Sequence, residues 1–104
     1  MATKTLRHPK IAPAHPGEFL REITIPATGL SKSEIARRLH ISRQTLHDVL
    51  ACRQEVTASL AQRLGKLFGD GPNIWLAMQM EYNIWKAARD MKDELAAIKP
   101  LRAA

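Results

Sequence analysis

The chain has 104 residues, a formal net charge of +6, 45% hydrophobic residues and 5% aromatic residues. This length suits one domain with an aliphatic core, and the lack of alternating β-branched and aromatic runs disfavours a sheet. The single cysteine, Cys52, excludes an intramolecular disulfide and a multi-cysteine metal site. No apolar run approaches the roughly 18 residues of a membrane span, and residues 1–16 lack the apolar stretch of a signal peptide. We therefore expect an all-α protein that is soluble and cytoplasmic.

The positive charge attracts polyanions through counterion release, which makes nucleic acid a candidate partner, although a merely basic surface explains the charge equally well. Residues 1–14 carry Lys4, Arg7 and Lys10 among prolines and small residues. This composition predicts a basic arm that is disordered when unbound and could add minor-groove or phosphate contacts. A first helix is predicted from Pro16 to Ile23, and Pro26 to Gly29 is predicted to end it and to turn the chain.

Two short capped helices follow. Ser31 and Glu34 have the spacing of a capping box, which predicts that a helix begins at Lys32 and that the two residues satisfy each other's backbone donors. Ser42 is a second N-cap candidate and predicts a third helix from about Arg43 to Ala51. Two short helices joined by a tight turn, the second beginning with polar residues, are typical of a helix-turn-helix. In that arrangement the second helix enters the major groove of DNA by its N-terminal end.

The remaining sequence predicts two more helices. Thr57 is a further cap candidate, and the apolar spacing that follows it predicts a fourth helix that Gly69 ends. A longer fifth helix begins near Asn73 and is predicted to reach Ile98, before Pro100. We divide the chain into the arm at 1–14, a helix-turn-helix domain at 15–86, and a C-terminal helix extension and tail at 87–104.

Three segments in this order resemble HigA/VapI-type antitoxins of the XRE helix-turn-helix class. They are His15-Pro16-Gly17-Glu18 at the start of the first helix, Leu30 to Arg53, and Trp75 to Trp85 with its Trp-Leu-x-x-Gln-x-x-Tyr run. The resemblance covers residues 9–85 and implies a five-helix, lambda-repressor-like domain with an extended C-terminal helix. It also implies a homodimer that binds operator DNA, represses its own operon and neutralises a HigB-like ribonuclease toxin by direct binding.

The sequence departs from this family at both ends of the predicted recognition unit. His40 and Cys52 stand where such proteins commonly have glycine, at positions that favour a positive φ. Histidine tolerates that backbone region better than most residues and cysteine less well. We therefore expect the C-terminal end of the recognition helix to close differently here.

The outward face of the third helix supplies the predicted base contacts, which are Arg43, Gln44, Thr45, His47 and Asp48. Gln44 is the first candidate because a carboxamide can contact adenine through two hydrogen bonds. Arg43 can contact guanine in the same way or bind phosphate instead. Asp48 repels phosphate, so we expect it to accept from a cytosine amino group or to orient Arg43 or His47.

The predicted phosphate contacts lie at the helix ends and are Ser31, Lys32, Ser42, Arg53 and Gln54. Ser42 is expected to act mainly as a cap, with a phosphate contact from its backbone amide. Arg37 and Arg38 are expected to be solvated surface charges instead.

The aromatic and apolar side chains of the fifth helix are candidates for a dimer interface, and they are Trp75, Met78, Tyr82 and Trp85. A helical aromatic row is more often core or interface than a small-molecule pocket.

The histidines lack metal-ligand spacing, and no nucleophile or phosphate-loop pattern is present, so we expect no metal, no cofactor and no enzyme activity. Two alternatives to an antitoxin are a stand-alone repressor of the same fold and a protein–protein adaptor that does not bind DNA.

Overall fold

The computed structural model of the chain describes residues 12–102, and every regular element in this range is helical. The elements in chain order are α1 (Pro16–Phe19), a π-helical turn (Leu20–Thr24), α2 (Ile25–Thr28), α3 (Lys32–Leu39), α4 (Arg43–Leu50), α5 (Ala58–Phe68), α6 (Asn73–Asp90) and α7 (Lys92–Ala97). The first three are continuous and form one helical segment. The predicted all-α fold and the predicted order of its helices are confirmed.

The first helical segment continues past the point where the sequence predicted its end. The prediction that it stops near Ile23 and turns at Pro26 is wrong, because the chain stays helical to Thr28 and then closes at Gly29 with a φ of 72°. Proline lacks a backbone donor, and its ring crowds the preceding helical turn. Here the preceding turn is π-helical, with the Ile25 backbone N–H bonded to the Leu20 carbonyl, and this wider turn accommodates the proline.

One apolar core joins all the long helical segments. Its fully buried members of largest volume are Leu20, Ile35, Leu46, Val49, Val56, Leu64 and Trp75. Burial of an aliphatic side chain of this size stabilises a fold by about 1.5–3 kcal/mol, so these residues dominate the stability of the protomer. The core therefore determines which faces of α3 and α4 are exposed to solvent.

Buried polar groups join the core to the loops. The Gln79 Oε1 accepts a hydrogen bond from the Val56 backbone N–H at 2.7 Å, and the Gln79 Nε2 donates to the Asn83 Oδ1 at 3.0 Å. Within residues 12–102, every buried side-chain nitrogen and oxygen has a hydrogen-bond partner. α6 therefore holds the loop between α4 and α5 by a side chain that is 3% exposed.

The ends of the described chain refine the predicted boundaries. Residues 1–11, most of the predicted basic arm, lie outside the described range, whereas Pro13 is buried against the domain. Packing therefore begins before residue 15. The long C-terminal helix is interrupted at Met91, and α7 ends where Ile98 adopts an extended backbone. Among the described helices, none is long and apolar enough to cross a membrane.

Candidate nucleic-acid interface

Serine hydroxyls cap the N-terminal ends of α3 and α4. The Ser31 Oγ accepts from the Glu34 backbone N–H at 3.1 Å, and the Ser42 Oγ accepts from the Thr45 backbone N–H at 3.0 Å. Each bond satisfies one of the backbone donors that a helix leaves free in its first turn. Both predicted caps are present, and they fix where the two helices begin.

The reciprocal half of the predicted capping box is not formed. The Glu34 carboxylate accepts hydrogen bonds from the guanidinium groups of Arg37 and Arg38 on the next turn of α3. The bonds from Arg37 and then from Arg38 lower the pKa of Glu34 to about 2. The carboxylate thus balances two surface arginines instead of returning to the Ser31 backbone, because cationic partners at the i+3 and i+4 positions are within its reach.

The residues that close α3 and α4 are not glycine, yet both adopt the left-handed backbone. His40 has a φ of 60° and Cys52 a φ of 62°. After each of them the chain returns a backbone N–H to the helix, from Ile41 to the Ala36 carbonyl at 3.1 Å and from Arg53 to the Asp48 carbonyl at 2.8 Å. These bonds complete a Schellman-type closure at both ends. The prediction that α4 closes differently because of Cys52 is therefore wrong.

The first helical segment contacts the C-terminal part of α4 through Gly17. A Cβ atom at this position would lie 1.8 Å from the Val49 carbonyl oxygen, so only glycine allows the two backbones to approach. The neighbouring His15 is buried, its Nδ1 accepts from the Gly17 backbone N–H at 2.9 Å, and its ring meets Tyr82 edge-on at 4.9 Å. Burial lowers the pKa of His15, against the opposing charges of Glu55 and Glu18.

Two arginines from other helical segments hold the C-terminal ends of α3 and α4. The Arg21 Nη1 donates to the Leu50 carbonyl at 2.7 Å, and the Arg63 Nη1 donates to the Leu39 carbonyl at 2.8 Å. A cation at the C-terminal end of a helix also complements its dipole. Sequence reasoning missed both residues, because their partners lie 29 and 24 positions away and no local pattern marks such a pair.

The exposed face of α4 presents three of the predicted base-contacting side chains together. Arg43, Gln44 and His47 line one open surface depression. Arg43 and His47 also line an adjoining depression of about 190 Å³ with Lys32, which begins α3. The structure therefore brings the leading base-contact candidates next to a predicted phosphate contact on the neighbouring helix.

Asp48 contacts different partners from those predicted for it. Its Oδ1 accepts from the Gln44 Nε2 at 3.0 Å and from the Arg53 Nη2 at 3.0 Å, not from Arg43 or His47. The hydrogen bond from Arg53, followed by that from Gln44, lowers the pKa of Asp48, against partial burial. Asp48 consequently joins the main base-reading candidate to a predicted phosphate contact.

The remaining predicted contacts have roles within the protomer or lie beside the α4 face. The half-buried Thr45 accepts from the Ser42 Oγ through its Oγ1 at 2.8 Å, so both hydroxyls belong to the cap of α4. Gln54 is exposed and lines a depression with Thr45 and Thr57 at the N-terminal end of α5. These positions border the surface formed by Arg43, Gln44 and His47.

The residues predicted for a dimer interface divide into two groups. Trp75 is 1% exposed and its Nε1 donates to the Asp70 Oδ1 at 3.0 Å, so it belongs to the protomer core and cannot line an interface surface. Met78 packs against the core, and the half-buried Tyr82 and Trp85 contact each other at 6.1 Å between ring centroids. The large apolar side chains that are exposed on α6 and on the described chain after it are instead Ile74, Met80, Ile84, Met91, Leu95, Ile98 and Leu101.

Comparisons with known proteins agree with this geometry. The family model of the CENP-B N-terminal DNA-binding domain matches residues 20–60. Virulence-associated protein I of Dichelobacter nodosus is 37% identical over 87 residues, which cover 84% of this chain and 80% of that protein. Antitoxin HigA-1 of Vibrio cholerae is 25% identical over 96 residues, which cover 92% of this chain and 90% of that protein.

Solved structures of antitoxins also superpose on this chain. The Pseudomonas aeruginosa antitoxin HigA, described with the higBA promoter, superposes with a TM-score of 0.82 at 31% identity, covering 86% of this chain and 99% of that chain. Antitoxin GraA in complex with its operator superposes with a TM-score of 0.81 at 32% identity, covering 89% and 95%. Two capped short helices with a polar exposed face on the second define a helix-turn-helix protein. The chain belongs to the HigA/VapI-type antitoxins of the XRE helix-turn-helix family, whose members are antitoxins and transcriptional regulators and not enzymes.

Proposed function

We propose that this chain is a sequence-specific DNA-binding antitoxin that acts in the cytoplasm, represses its own operon as a dimer and neutralises a HigB-like ribonuclease toxin. The observation that carries the DNA-binding part is the shared surface of Arg43, Gln44 and His47 on α4, beside Lys32 on α3. Two similar structures, those of HigA and GraA, were described with promoter or operator DNA. No substrate pocket or metal is needed for this function.

The contacts proposed for DNA follow from chemistry and position. Gln44 can pair with adenine and Arg43 with guanine, and His47 lies one helical turn beyond them on the same exposed face. Lys32 and Arg53 are cations at the ends of the helix pair, where the docking of a helix-turn-helix brings phosphates close. Ser31, Ser42, Thr45 and Gln54 are proposed to contribute backbone amides or side chains at the same helix ends.

A dimer is proposed because one recognition helix reads only a few base pairs, whereas two helices related by a two-fold axis read two half-sites about one helical turn apart. We place the interface on the exposed apolar face of α6 and α7 that contains Met80, Ile84, Met91 and Leu95. Met78, Tyr82 and Trp85 remain candidates for its edge because they are only partly buried. Several exposed apolar side chains on neighbouring turns are typical of a surface that another protein covers.

The DNA-binding part is tested by a footprint of the purified chain on promoter DNA upstream of its own gene. The expected result is a protected site made of two related half-sites, with binding that weakens steeply as salt increases. A protein–protein adaptor of the same fold would leave no footprint. Equal binding to the promoter and to unrelated DNA would contradict sequence-specific repression.

The toxin part is tested by co-expression with the neighbouring gene and purification under native conditions. The expected result is a stable complex of the chain with a small ribonuclease whose activity returns when the complex is dissociated. Recovery of the chain alone, together with a protected operator, would favour the second candidate, a stand-alone repressor. That candidate is supported by relatives named as HTH-type transcriptional regulators, one of them from Haemophilus influenzae at 28% identity over 90 residues.

A further inference from the structure

The geometry of α4 points to a second determinant of DNA sequence preference beside Gln44. We propose that Asp48 is a positioning residue that fixes the orientation of the Gln44 carboxamide and so selects adenine at the base pair that Gln44 reads. The proposal rests on the proposed DNA-binding function and deepens it. Asp48 itself need not touch a base.

The chemistry of the two groups fixes which end of the Gln44 amide faces Asp48. An ionised carboxylate accepts hydrogen bonds and donates none, so the amide nitrogen of Gln44 must point toward it. The distance between the Gln44 Nε2 and the Asp48 Oδ1 is 3.0 Å. A rotation of the amide by 180° would place two oxygens against each other, and the carboxylate therefore excludes the reversed orientation.

Arg53 holds the carboxylate in place for this role. Its Nη2 donates to the same Asp48 Oδ1 at 3.0 Å, and its backbone N–H donates to the Asp48 carbonyl at 2.8 Å. The second bond belongs to the Schellman-type closure at Cys52, so the end of α4 fixes the position of Arg53. The guanidinium also favours the ionised form of Asp48, because its hydrogen bond lowers the pKa of the carboxyl group.

The orientation leaves a defined hydrogen-bonding edge on Gln44. One N–H is used by Asp48, and the second N–H and the carbonyl oxygen remain available to a ligand. Adenine offers an acceptor at N7 and a donor at N6 in the major groove, which matches this pair, whereas guanine offers two acceptors there. The carbonyl oxygen of a fixed Gln44 therefore meets a donor on adenine and an acceptor on guanine.

The negative charge of Asp48 lowers the affinity for DNA of every sequence, although the carboxylate sharpens the preference among sequences. A carboxylate on a DNA-binding surface repels phosphate, so Asp48 weakens binding to every sequence while sharpening the preference among sequences. Affinity and preference should therefore change in opposite directions when the carboxylate is removed. A purely electrostatic role for Asp48 would change affinity alone.

The test measures binding of Asp48→Ala and Asp48→Asn to the footprinted operator, to operators changed at the base pair that Gln44 reads, and to unrelated DNA. For Asp48→Ala we expect affinity for unrelated DNA to rise and the preference for adenine at that position to fall roughly fivefold or more. Asp48→Asn removes the same charge but keeps an oxygen acceptor, so it should retain more of the preference than alanine does. Equal preference in wild type and Asp48→Ala, or equal losses in Ala and Asn, would overturn the proposal.

Glu34→Ala is the matched control, because Glu34 is a carboxylate on the adjacent helix that pairs with Arg37 and Arg38 and does not contact Gln44. It should raise affinity for all DNA and leave the base preference unchanged.

The double variant Gln44→Ala with Asp48→Ala should show no further loss of preference beyond Gln44→Ala, and additive losses would contradict positioning. Thermal unfolding of each variant verifies folding, and failure of wild type to prefer its operator would refute the proposed function itself.

Discussion

α4 and α6 both present one face to solvent, but the two faces differ in chemistry and in how they are held. The exposed side chains of α4 are polar, and local hydrogen bonds among Ser42, Thr45, Gln44, Asp48 and Arg53 arrange them within the protomer. α6 buries Trp75 and Gln79 on its inner face and exposes Met80 and Ile84 on its outer face. On the polar face Gln44 and Asp48 are therefore positioned before any ligand binds, whereas the apolar face gains stability only when another surface covers it.

The largest expected effect comes from the inner face of α6. Trp75→Ala removes a side chain that is 1% exposed and contacts Phe19 and Phe68, and we expect it to lower the free energy of unfolding by about 3–5 kcal/mol. Chemical denaturation followed by circular dichroism measures this change. A loss below about 1 kcal/mol would contradict the assignment of Trp75 to the protomer core and would return it to the interface candidates.

The outer face of α6 should respond differently to substitution. Ile84 is 61% exposed, so Ile84→Glu should leave the folded protomer intact but place a charge in the proposed dimer interface, at a cost of roughly 3 kcal/mol to association. Light scattering should report a monomer where wild type is a dimer, and operator affinity should fall with it. Gln62→Glu, at an exposed position on α5, is the matched control and should remain dimeric. An unchanged mass for Ile84→Glu would place the interface elsewhere.

The serine caps of α3 and α4 make a smaller contribution to the free energy of unfolding. Ser42→Ala removes the acceptor for the Thr45 backbone N–H, and Ser31→Ala removes that for Glu34, so each should cost about 1 kcal/mol of stability. Denaturation midpoints at one fixed protein concentration measure both. Ser42→Asn keeps an acceptor at the cap and should restore most of the loss. A Ser42→Ala variant as stable as wild type would show that local hydrogen bonds do not hold α4.

His15 predicts a pH dependence that links the two regions, because it caps α1 beside α4 and packs on Tyr82 of α6. Burial lowers its pKa below 6.5 in the folded chain, so the unfolded chain takes up a proton first as the pH falls. Its contribution to stability is complete above pH 6.5 and is lost as the pH falls through the lower folded-state pKa.

His15→Asn tests this dependence because asparagine can accept the Gly17 backbone N–H without titrating. The variant should show a flatter stability profile between pH 7 and pH 5 than wild type in a series of denaturation curves. The two carboxylates whose charges act on His15, Glu55 and Glu18, are unchanged in it. A profile with the full wild-type slope would assign the pH dependence to other groups.

The helices α3 and α4 could be predicted from the sequence because the residues that fix where they begin lie next to them in the chain. Ser31 and Ser42 lie three residues before the backbone donors that they cap, and the apolar spacing of α3 to α6 follows the helical period. Pro26 misled the prediction because a π-helical turn, which has no sequence signature, allowed the helix to continue. The sequence identified Cys52 as a position where the family favours a positive φ. It did not predict that Cys52 adopts this backbone, because the backbone hydrogen bonds that outweigh the strain of a positive φ are visible only in the structure.

The support of the site could not be predicted because it depends on long-range contacts. Arg21 and Arg63 reach carbonyl groups of α4 and α3 from helices distant in sequence, and Gln79 reaches Val56 in the same way. The helical period places Trp75 and Ile84 on opposite faces of α6, but it does not say which of the two faces meets the core. Only the packed fold makes that distinction.

The most direct test of the central claim is a titration of wild type, Gln44→Ala and Lys32→Ala against the operator and unrelated DNA, followed by fluorescence anisotropy over a range of salt concentrations. Wild type should prefer the operator. Gln44→Ala should lose about 1–3 kcal/mol on the operator with little change on unrelated DNA, and Lys32→Ala should weaken both and reduce the salt slope by about 1. An unchanged affinity and an unchanged operator preference for Gln44→Ala would contradict the assignment of α4 as the helix that reads DNA.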